Sequence, residues 1–377
     1  MQFKSFFIFI LALLFSSPGF GQARQIHESL LTIDSHTDTP LWLMRGGIDF
    51  MKDNTEVKGS RIDYPRMKKG GLDAAFFAVF TSQGPLTDEG YTRAYSRAEQ
   101  LFDTLHALTA NHSGQIALAT DVSSIKKNHR KGIITILIGV ENGYPLGLDI
   151  SRVKHFYERG ARYITLSHTK NNQICDSSTD TLFHGGLSEF GKTVVREMNE
   201  LGMMIDVSHI SDSAFDDVIA LSTHPVIASH SNARAICNHP RNLTDEMLSK
   251  LARNGGVIQV CILSDYVKEP TPNPLRDSVF KALNQKYNQF TNLDDETLKK
   301  ARAEWTLTDQ MYPRVLGTVS DLCDHIDHIV RIAGIDHVGI GTDFDGGGGL
   351  ADCRDASELP NRSEEHTSEL QSRITIS

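Results

Sequence analysis

The stretch LTIDSHTDTPL, residues 31–41, is a short apolar run that leads directly into His36 and Asp38. If Leu30 to Asp34 form a β-strand, successive side chains alternate between its two sides, so His36 and Asp38 point to the same side. An imidazole nitrogen and a carboxylate oxygen that converge in this way are ligands for a first-row metal ion. One such pair is a weak signal in a chain of 377 residues with 16 histidines, so the prediction depends on the rest of the sequence.

Apolar runs of similar length recur along the chain, and most of them are followed by a segment with apolar residues at helical spacing. The eight runs cover residues 30–34, 72–80, 133–140, 161–166, 203–207, 225–229, 255–260 and 337–342. Alternation of apolar strands with helices indicates βαβ units and buried parallel strands. Eight units predict an α/β fold, a (β/α)8 barrel of the TIM type. A doubly wound open sheet is the alternative, but no glycine-rich phosphate loop follows the first run.

One segment interrupts this alternation. Residues 265–315, between the seventh and eighth runs, contain EPTPNP and the charged stretch NLDDETLKKARAEW. We interpret this segment as a helical excursion over the mouth of the barrel.

Composition excludes some classes of protein. With 40% hydrophobic and 23% charged residues, the chain is an ordinary globular protein. Its net charge of −9 and the lack of a basic stripe argue against nucleic acid as a partner. The five cysteines form no C-x-x-C pair, so neither a zinc knuckle nor a redox motif is indicated, and we expect buried thiols.

The two ends of the chain differ from the rest. Residues 1–23 have a positive Lys4, the apolar run FFIFILALLF and small residues after it, which predicts a secretion signal and an exported, periplasmic or extracellular protein without a lipid anchor. We expect the barrel domain to occupy residues 24–361. Residues 362–377 begin with the run RSEEHTSELQS, which resembles a translated sequencing adapter, so we interpret them as a non-native tail that stands in place of the last helices.

In a (β/α)8 barrel, the residues that carry chemistry lie at the carboxyl ends of the strands. Six of the eight predicted strand ends present histidine, aspartate or glutamate. These residues are His36, Asp38, Glu141, His168, His209, His230 and Asp343, with Asp345 close behind. A random distribution would not concentrate these residues at strand ends, so the pattern predicts a metal site.

The types of ligand narrow the chemistry. Three imidazoles and two carboxylates without a thiolate suit Zn²⁺ or a neighbouring first-row ion. Five ligands exceed the three that one catalytic zinc usually takes from a protein, whereas two ions that share a carboxylate would use all of them. Paired ions activate water and polarise a carbonyl or phosphoryl oxygen, so hydrolysis is the leading reaction class.

The motifs around these residues resemble those of a known family. They are DSHTD, GVENG, LSHTKNN, DVSHIS, ASHSNAR with HPRN, and GIGTDFDG, in that order. Together they resemble the membrane (renal) dipeptidase family, zinc metallopeptidases of the amidohydrolase superfamily, over roughly residues 28–360. The resemblance implies a (β/α)8 barrel that uses two zinc ions to hydrolyse dipeptides.

The resemblance also implies a role for each motif residue. One zinc would bind His36 and Asp38, the other His209 and His230, and Glu141 would bridge them. His168 would bind substrate and face the developing oxyanion. Arg241 would bind the free carboxylate of the substrate, and nearby Arg234 could take its place. Asp343 would carry out acid–base catalysis, with Asp345 as the competing assignment.

Two other functions stay open. Another amidohydrolase, acting on N-acyl amino acids, lactones or phosphotriesters, would share the metal centre. A barrel without activity could act as a binding protein. A missing metal ligand or a replaced Asp343 would support that alternative, and the sequence has neither. The expected partner is a dipeptide substrate, whose C-terminal residue could have either the L or the D configuration. The sequence leaves open whether the protein forms a homodimer.

Overall fold

The computed structural model describes residues 25–288 and 294–360. The strands are β1 Ile33–Thr37, β2 Ala74–Phe80, β3 Ile116–Leu118, β4 Ile134–Glu141, β5 Ala161–Thr165, β6 Met204–Asp206, β7 Ile227–Ala228, β8 Val257–Val260 and β9 Val338–Ile340. The helices are α1 Thr39–Met44, α2 Tyr64–Lys69, α3 Asp88–Asn111, α4 Val122–Arg130, α5 Ser151–Glu158, α6 Glu189–Leu201, α7 Asp212–Leu221, α8 Asp245–Arg253, α9 Ser264–Val267, α10 Pro274–Lys286, α11 Asp295–Met311 and α12 Val319–Ala333. The predicted signal segment and the predicted tail lie outside the described residues.

The strands form one parallel sheet that curls into a barrel. Their order is β1-β2-β4-β5-β6-β7-β8-β9, and β3 pairs with β4 outside this path. The two ends of the sheet meet where the chain leaves β9: Thr37 of β1 forms a parallel bridge with Phe344, and the Asp38 N–H donates to the Phe344 carbonyl over 2.9 Å. The (β/α)8 barrel is therefore confirmed, and the carboxyl ends of all eight strands meet at one face.

Burial on both faces explains why the strands are apolar runs. All eight residues of β4, ITILIGVE, are buried, because barrel side chains cover one face and helices cover the other. Gly139 in β4 leaves room for a neighbour, since a Cβ there would lie 2.0 Å from Cζ of Tyr163. The tyrosine ring can therefore cross the barrel interior.

Two strand predictions differ from the structure. The first strand runs from Ile33 to Thr37, three residues later than the apolar run at 30–34 suggested. Its polar side chains are buried because they bond to other strands; for example, the Ser35 hydroxyl donates to the Ser229 carbonyl over 2.6 Å. The short β3 was not predicted, since three residues leave no measurable alternation.

Helix starts follow ordinary capping chemistry. Side chains of Thr87, Asp121, Ser188, Ser211 and Thr244 each accept a hydrogen bond from a backbone N–H in the first turn of the helix that follows.

The segment between β8 and β9 is helical, as predicted, and contains α9, α10, α11 and α12. That it covers the barrel mouth stays a prediction. Among the described residues, none of the helices combines the length and the apolar character that a membrane crossing requires.

Candidate metal centre

The eight residues singled out from the sequence converge at the carboxyl face of the barrel. His36 lies in β1 and Asp38 directly after it, and Glu141 is the last residue of β4. The other residues lie in the loops that follow later strands: His168 after β5, His209 after β6, His230 and, further along the same loop, Arg241 after β7, and Asp343 after β9. All except the half-buried His168 are buried.

Glu141 stands at the centre of the histidines. Its Oε1 lies 3.2 Å from Nε2 of His209, 3.5 Å from Nε2 of His230 and 3.8 Å from Nε2 of His168. Its Oε2 lies 3.5 Å from Nε2 of His36. One carboxylate therefore faces two groups of nitrogen ligands with its two oxygens, which is the arrangement that a bridging carboxylate needs.

A second group of potential ligands extends from His36. Side-chain atoms of His36, Asp38 and Asp343 lie within 4.8 Å of one another. Gly346 lies against both carboxylates, because a Cβ at this position would be 2.1 Å from Oδ2 of Asp38 and 2.3 Å from Oδ1 of Asp343. A glycine is required here if the two carboxylates are to keep these positions.

The charges of this cluster are poorly balanced by the protein alone. Burial raises the pKa of Asp38 well above its usual value, and the nearby Glu141 raises it further. Burial likewise raises the pKa of Asp343 to about 7. Burial alone would lower the pKa of His36, yet the carboxylates, Glu141 above all, raise it to about 10. Several carboxylates crowded into a buried site favour a bound cation.

The polar atoms of the cluster fit a metal. His36 Nε2, Asp38 Oδ1 and His209 Nδ1 are buried and have no hydrogen-bond partner among the described residues. The Nε2 atoms of His209 and His230 lie only 2.8 Å apart. Burial lowers the pKa values of both imidazoles well below the usual range, with Arg241 contributing, so both rings are neutral and can offer a lone pair.

Tyr163 orients His36, a role that the sequence analysis missed. The Tyr163 hydroxyl donates to the Ser35 carbonyl over 3.2 Å and lies 2.8 Å from Nδ1 of His36. The hydroxyl proton of Tyr163 goes to Ser35, so Nδ1 of His36 donates the proton of the bond between His36 and Tyr163. Nε2, which faces Glu141, is then the nitrogen left to coordinate a metal. Tyr163 lies within an ordinary apolar strand. The only sequence signal for its role was a tyrosine in ARYITL at a position that alternation directs into the barrel.

A second network orients His230 in the same way. The Ser229 hydroxyl donates to Asp206 Oδ2 over 2.6 Å and lies 2.7 Å from Nδ1 of His230. Nδ1 of His230 therefore donates to Ser229, and Nε2 is left as an acceptor. Asp206 is fully buried and also accepts from the N–H groups of Ser208 and Ser229. The sequence signal that could have indicated this network was the aspartate of DVSHIS, a charged residue near the end of an apolar run.

We expect Tyr163→Phe to weaken metal binding about 10- to 100-fold, because the ring keeps its packing while Nδ1 of His36 loses its partner. Metal affinity can be measured by competition with a chelator. The control is Tyr64→Phe, which removes a hydroxyl from a half-buried tyrosine at the start of α2. Equal affinities of Tyr163→Phe and the unmodified protein would contradict the orienting role.

Of the two arginines that the sequence offered, Arg241 lies at the cluster and, among the described residues, has no carboxylate partner. Arg234 pairs with both oxygens of Asp212 at 2.7 Å. Arg241 is buried, donates to the His230 carbonyl over 3.1 Å and stacks over Tyr266 at 5.3 Å, and its Nε has no hydrogen-bond partner among the described residues.

The two aspartates after β9 have different surroundings. Asp343 faces His36 and Asp38, whereas the carboxylate of Asp345 accepts from the Thr39 hydroxyl over 2.7 Å and from the Arg61 N–H over 2.6 Å. Asp345 therefore ties together two loops. Both aspartates have positive φ angles, 58° and 67°, and such strained backbone is common at functional sites.

The chain is similar to known proteins over most of its length. Residues 20–373 match the membrane dipeptidase family (peptidase family M19). Dipeptidase verJ of Clonostachys rogersoniana is 31% identical over 337 residues, which is 86% of this chain and 75% of that protein. Dipeptidase ataJ of Aspergillus terreus is 30% identical and covers 88% of this chain and 77% of its own length.

Solved structures share this fold. The probable dipeptidase PvdM from Pseudomonas aeruginosa superposes with a TM-score of 0.80 at 28% identity, covering 93% of this chain and 92% of its own. A metallopeptidase from Rhodobacter sphaeroides, bound to a phosphinate mimic of L-Ala-D-Ala, shares the fold with a TM-score of 0.71 at 23% identity, covering 90% and 93%. The chain therefore belongs to the membrane dipeptidase family (peptidase family M19) and is a metal-dependent dipeptidase.

Proposed function

We propose that the protein is an exported dipeptidase with two zinc ions, and that its substrates include dipeptides with a C-terminal D-residue. The observation that carries the proposal is the position of Glu141, whose two oxygens face different groups of ligands. His36 and Asp38 would hold one ion, and His209 and His230 the other. Bound zinc would polarise the scissile carbonyl and acidify the attacking water.

The remaining residues handle the substrate. Arg241, with its unpartnered Nε, would bind the C-terminal carboxylate, which lies one residue beyond the scissile carbonyl. This distance limits productive substrates to dipeptides, because a longer chain places its carboxylate too far from the carbonyl. His168 is partly exposed beside Glu141 and would donate to the oxygen that becomes negative as water attacks.

Asp343 is the proposed acid–base group. It lies beside His36 and Asp38, where it can accept a proton from the attacking water on a carboxylate oxygen. The same oxygen can then pass this proton to the departing amine nitrogen as the carbon–nitrogen bond breaks. The products are two free amino acids, and the carboxylate returns to its starting state.

Two measurements on the protein test the proposal together. Elemental analysis should find two zinc ions per chain, and a panel of dipeptides with L- and D-residues at each position should identify the substrates. Bound metal without turnover of any dipeptide would favour another amidohydrolase activity. A folded protein that binds no metal would overturn the mechanism.

We expect Arg241→Gln to lower kcat/KM for dipeptides about 10- to 100-fold, since a charged hydrogen bond to the carboxylate contributes roughly 1.5–3 kcal/mol. Dipeptide amides, which lack that charge, should lose far less. The matched control is Arg234→Gln, because Arg234 already pairs with Asp212. An equal loss for dipeptides and their amides would contradict carboxylate recognition by Arg241.

The proposal of export rests on residues 1–23, in which Lys4 precedes an apolar run and small residues. Fractionation of cells that express the protein, with the mass of the purified chain, tests it. Retention of the uncut chain in the cytoplasm would contradict export.

A further inference from the structure

A cavity of about 290 Å³ opens beside the metal centre, between α1, α3 and the loop after β2. Three arginines line it: Arg45 at the end of α1, and Arg93 and Arg97 one helical turn apart on α3. The volume is at the low end for a small-molecule site, so the cavity suits one side chain better than a whole ligand.

The arginines of this cavity have no close acidic partner in the part of the chain that the structure describes. Among the described residues, no carboxylate lies within ion-pair distance of the three guanidinium groups, although the exposed Glu89 precedes Arg93 by one helical turn. Burial lowers the pKa of the half-buried Arg97, and the nearby Arg45 lowers it further. Guanidinium groups that line one cavity without a close acid favour a bound anion, and their planar donors match a carboxylate.

The cavity borders the catalytic residues. Phe80, the last residue of β2, lines it, and its ring centre lies 4.7 Å from that of His168. Thr81 also lines it, and its N–H donates to the Glu141 carbonyl over 3.4 Å. The Thr81 hydroxyl is buried behind this wall of the cavity and has no hydrogen-bond partner in the described chain.

The cavity and Arg241 lie on opposite sides of the barrel. Phe80 ends β2 and Thr81 follows it, whereas Arg241 follows β7, and four steps separate these strands in the eight-strand order in either direction. A substrate whose C-terminal carboxylate is held by Arg241, with its carbonyl at Glu141 and His168, therefore directs its N-terminal residue toward β2.

We propose that this arginine-lined cavity binds an acidic side chain on the N-terminal residue of the substrate, so that the enzyme prefers dipeptides that begin with glutamate or aspartate. This inference rests on the dipeptidase function proposed above. Arg45, Arg93 and Arg97 are then specificity residues that take no part in bond cleavage.

The experiment compares Glu-Ala with Met-Ala, whose neutral side chain has similar length, each with L- and D-alanine. We expect the unmodified protein to prefer Glu-Ala about tenfold in kcat/KM, and the double variant Arg45→Gln/Arg97→Gln to lose this preference while it keeps its kcat for Met-Ala. The control is Arg130→Gln, at the end of α4 and four residues before β4 begins, on the opposite face of the barrel.

Binding measurements separate this inference from the proposed function. Calorimetry on Asp343→Asn, with and without the two arginine substitutions, compares the affinities for Glu-Ala and Met-Ala without turnover. Tighter binding of Glu-Ala that disappears with the arginines supports the cavity even if no dipeptide is hydrolysed. If Met-Ala is hydrolysed but the ratio is the same in all variants, the dipeptidase function stands and the inference about the cavity is wrong.

Discussion

Replacement of Asp343 by asparagine is expected to lower kcat for dipeptide hydrolysis by about 10²- to 10⁴-fold, the usual contribution of a positioned acid–base group. An amide of the same shape can neither take the proton of the attacking water nor give it to the departing amine. Asp343 lies with His36 and Asp38, so metal content must be measured on the same sample. We expect the variant to retain metal through His36, Asp38 and Glu141.

Asp345→Asn is the matched control, because this aspartate has the same backbone geometry but a structural environment. Both oxygens of Asp345 accept hydrogen bonds, from the Thr39 hydroxyl and from the Arg61 N–H. An asparagine would turn its amide group toward one of these donors, which destabilises the fold by about 1–3 kcal/mol. We expect a lower Tm and a nearly unchanged kcat. The reverse result, with Asp345→Asn inactive and Asp343→Asn active, would transfer the acid–base role to Asp345.

Glu141→Gln is expected to remove metal and activity together. Glu141 is the carboxylate that faces both His36 and His209. Burial would raise its pKa, but the neighbouring histidines, His36 above all, hold the pKa well below the usual value. A neutral amide cannot bridge two cations, so the loss of turnover should exceed the 10- to 100-fold typical of changes around the ligands. Elemental analysis should find at least one ion missing per chain.

The control for Glu141→Gln is Glu99→Gln on α3, whose carboxylate pairs with His155 and Arg159 on the outside of the barrel. It should keep full metal content and activity. Metal removal offers a second check, because a chelator should lower the Tm of the unmodified protein and leave that of Glu141→Gln largely unchanged. A fully metallated Glu141→Gln protein would contradict the bridging role.

Much of the fold and of the candidate site could be predicted from local patterns. Parallel strands buried on both faces are apolar runs, and chain direction alone places their carboxyl ends together. For that reason His168, His209 and His230 could be assigned to one site although long stretches of chain separate them. The first strand was predicted three residues too early because Asp34 to Thr37 are polar. Their burial depends on partners such as Ser229 and Thr342, which lie just after the ends of other strands.

By itself the sequence determined the fold class and the face of the barrel at which the predicted ligands meet, because both depend on short-range patterns and on chain direction. The tertiary structure decided which side chains meet. Tyr163 reaches His36 only through the space left by Gly139, and Arg97 approaches Arg45 only because α1 and α3 pack together. Contacts of this kind depend on strand register and helix packing, which join residues far apart in the chain and leave no repeating pattern in it.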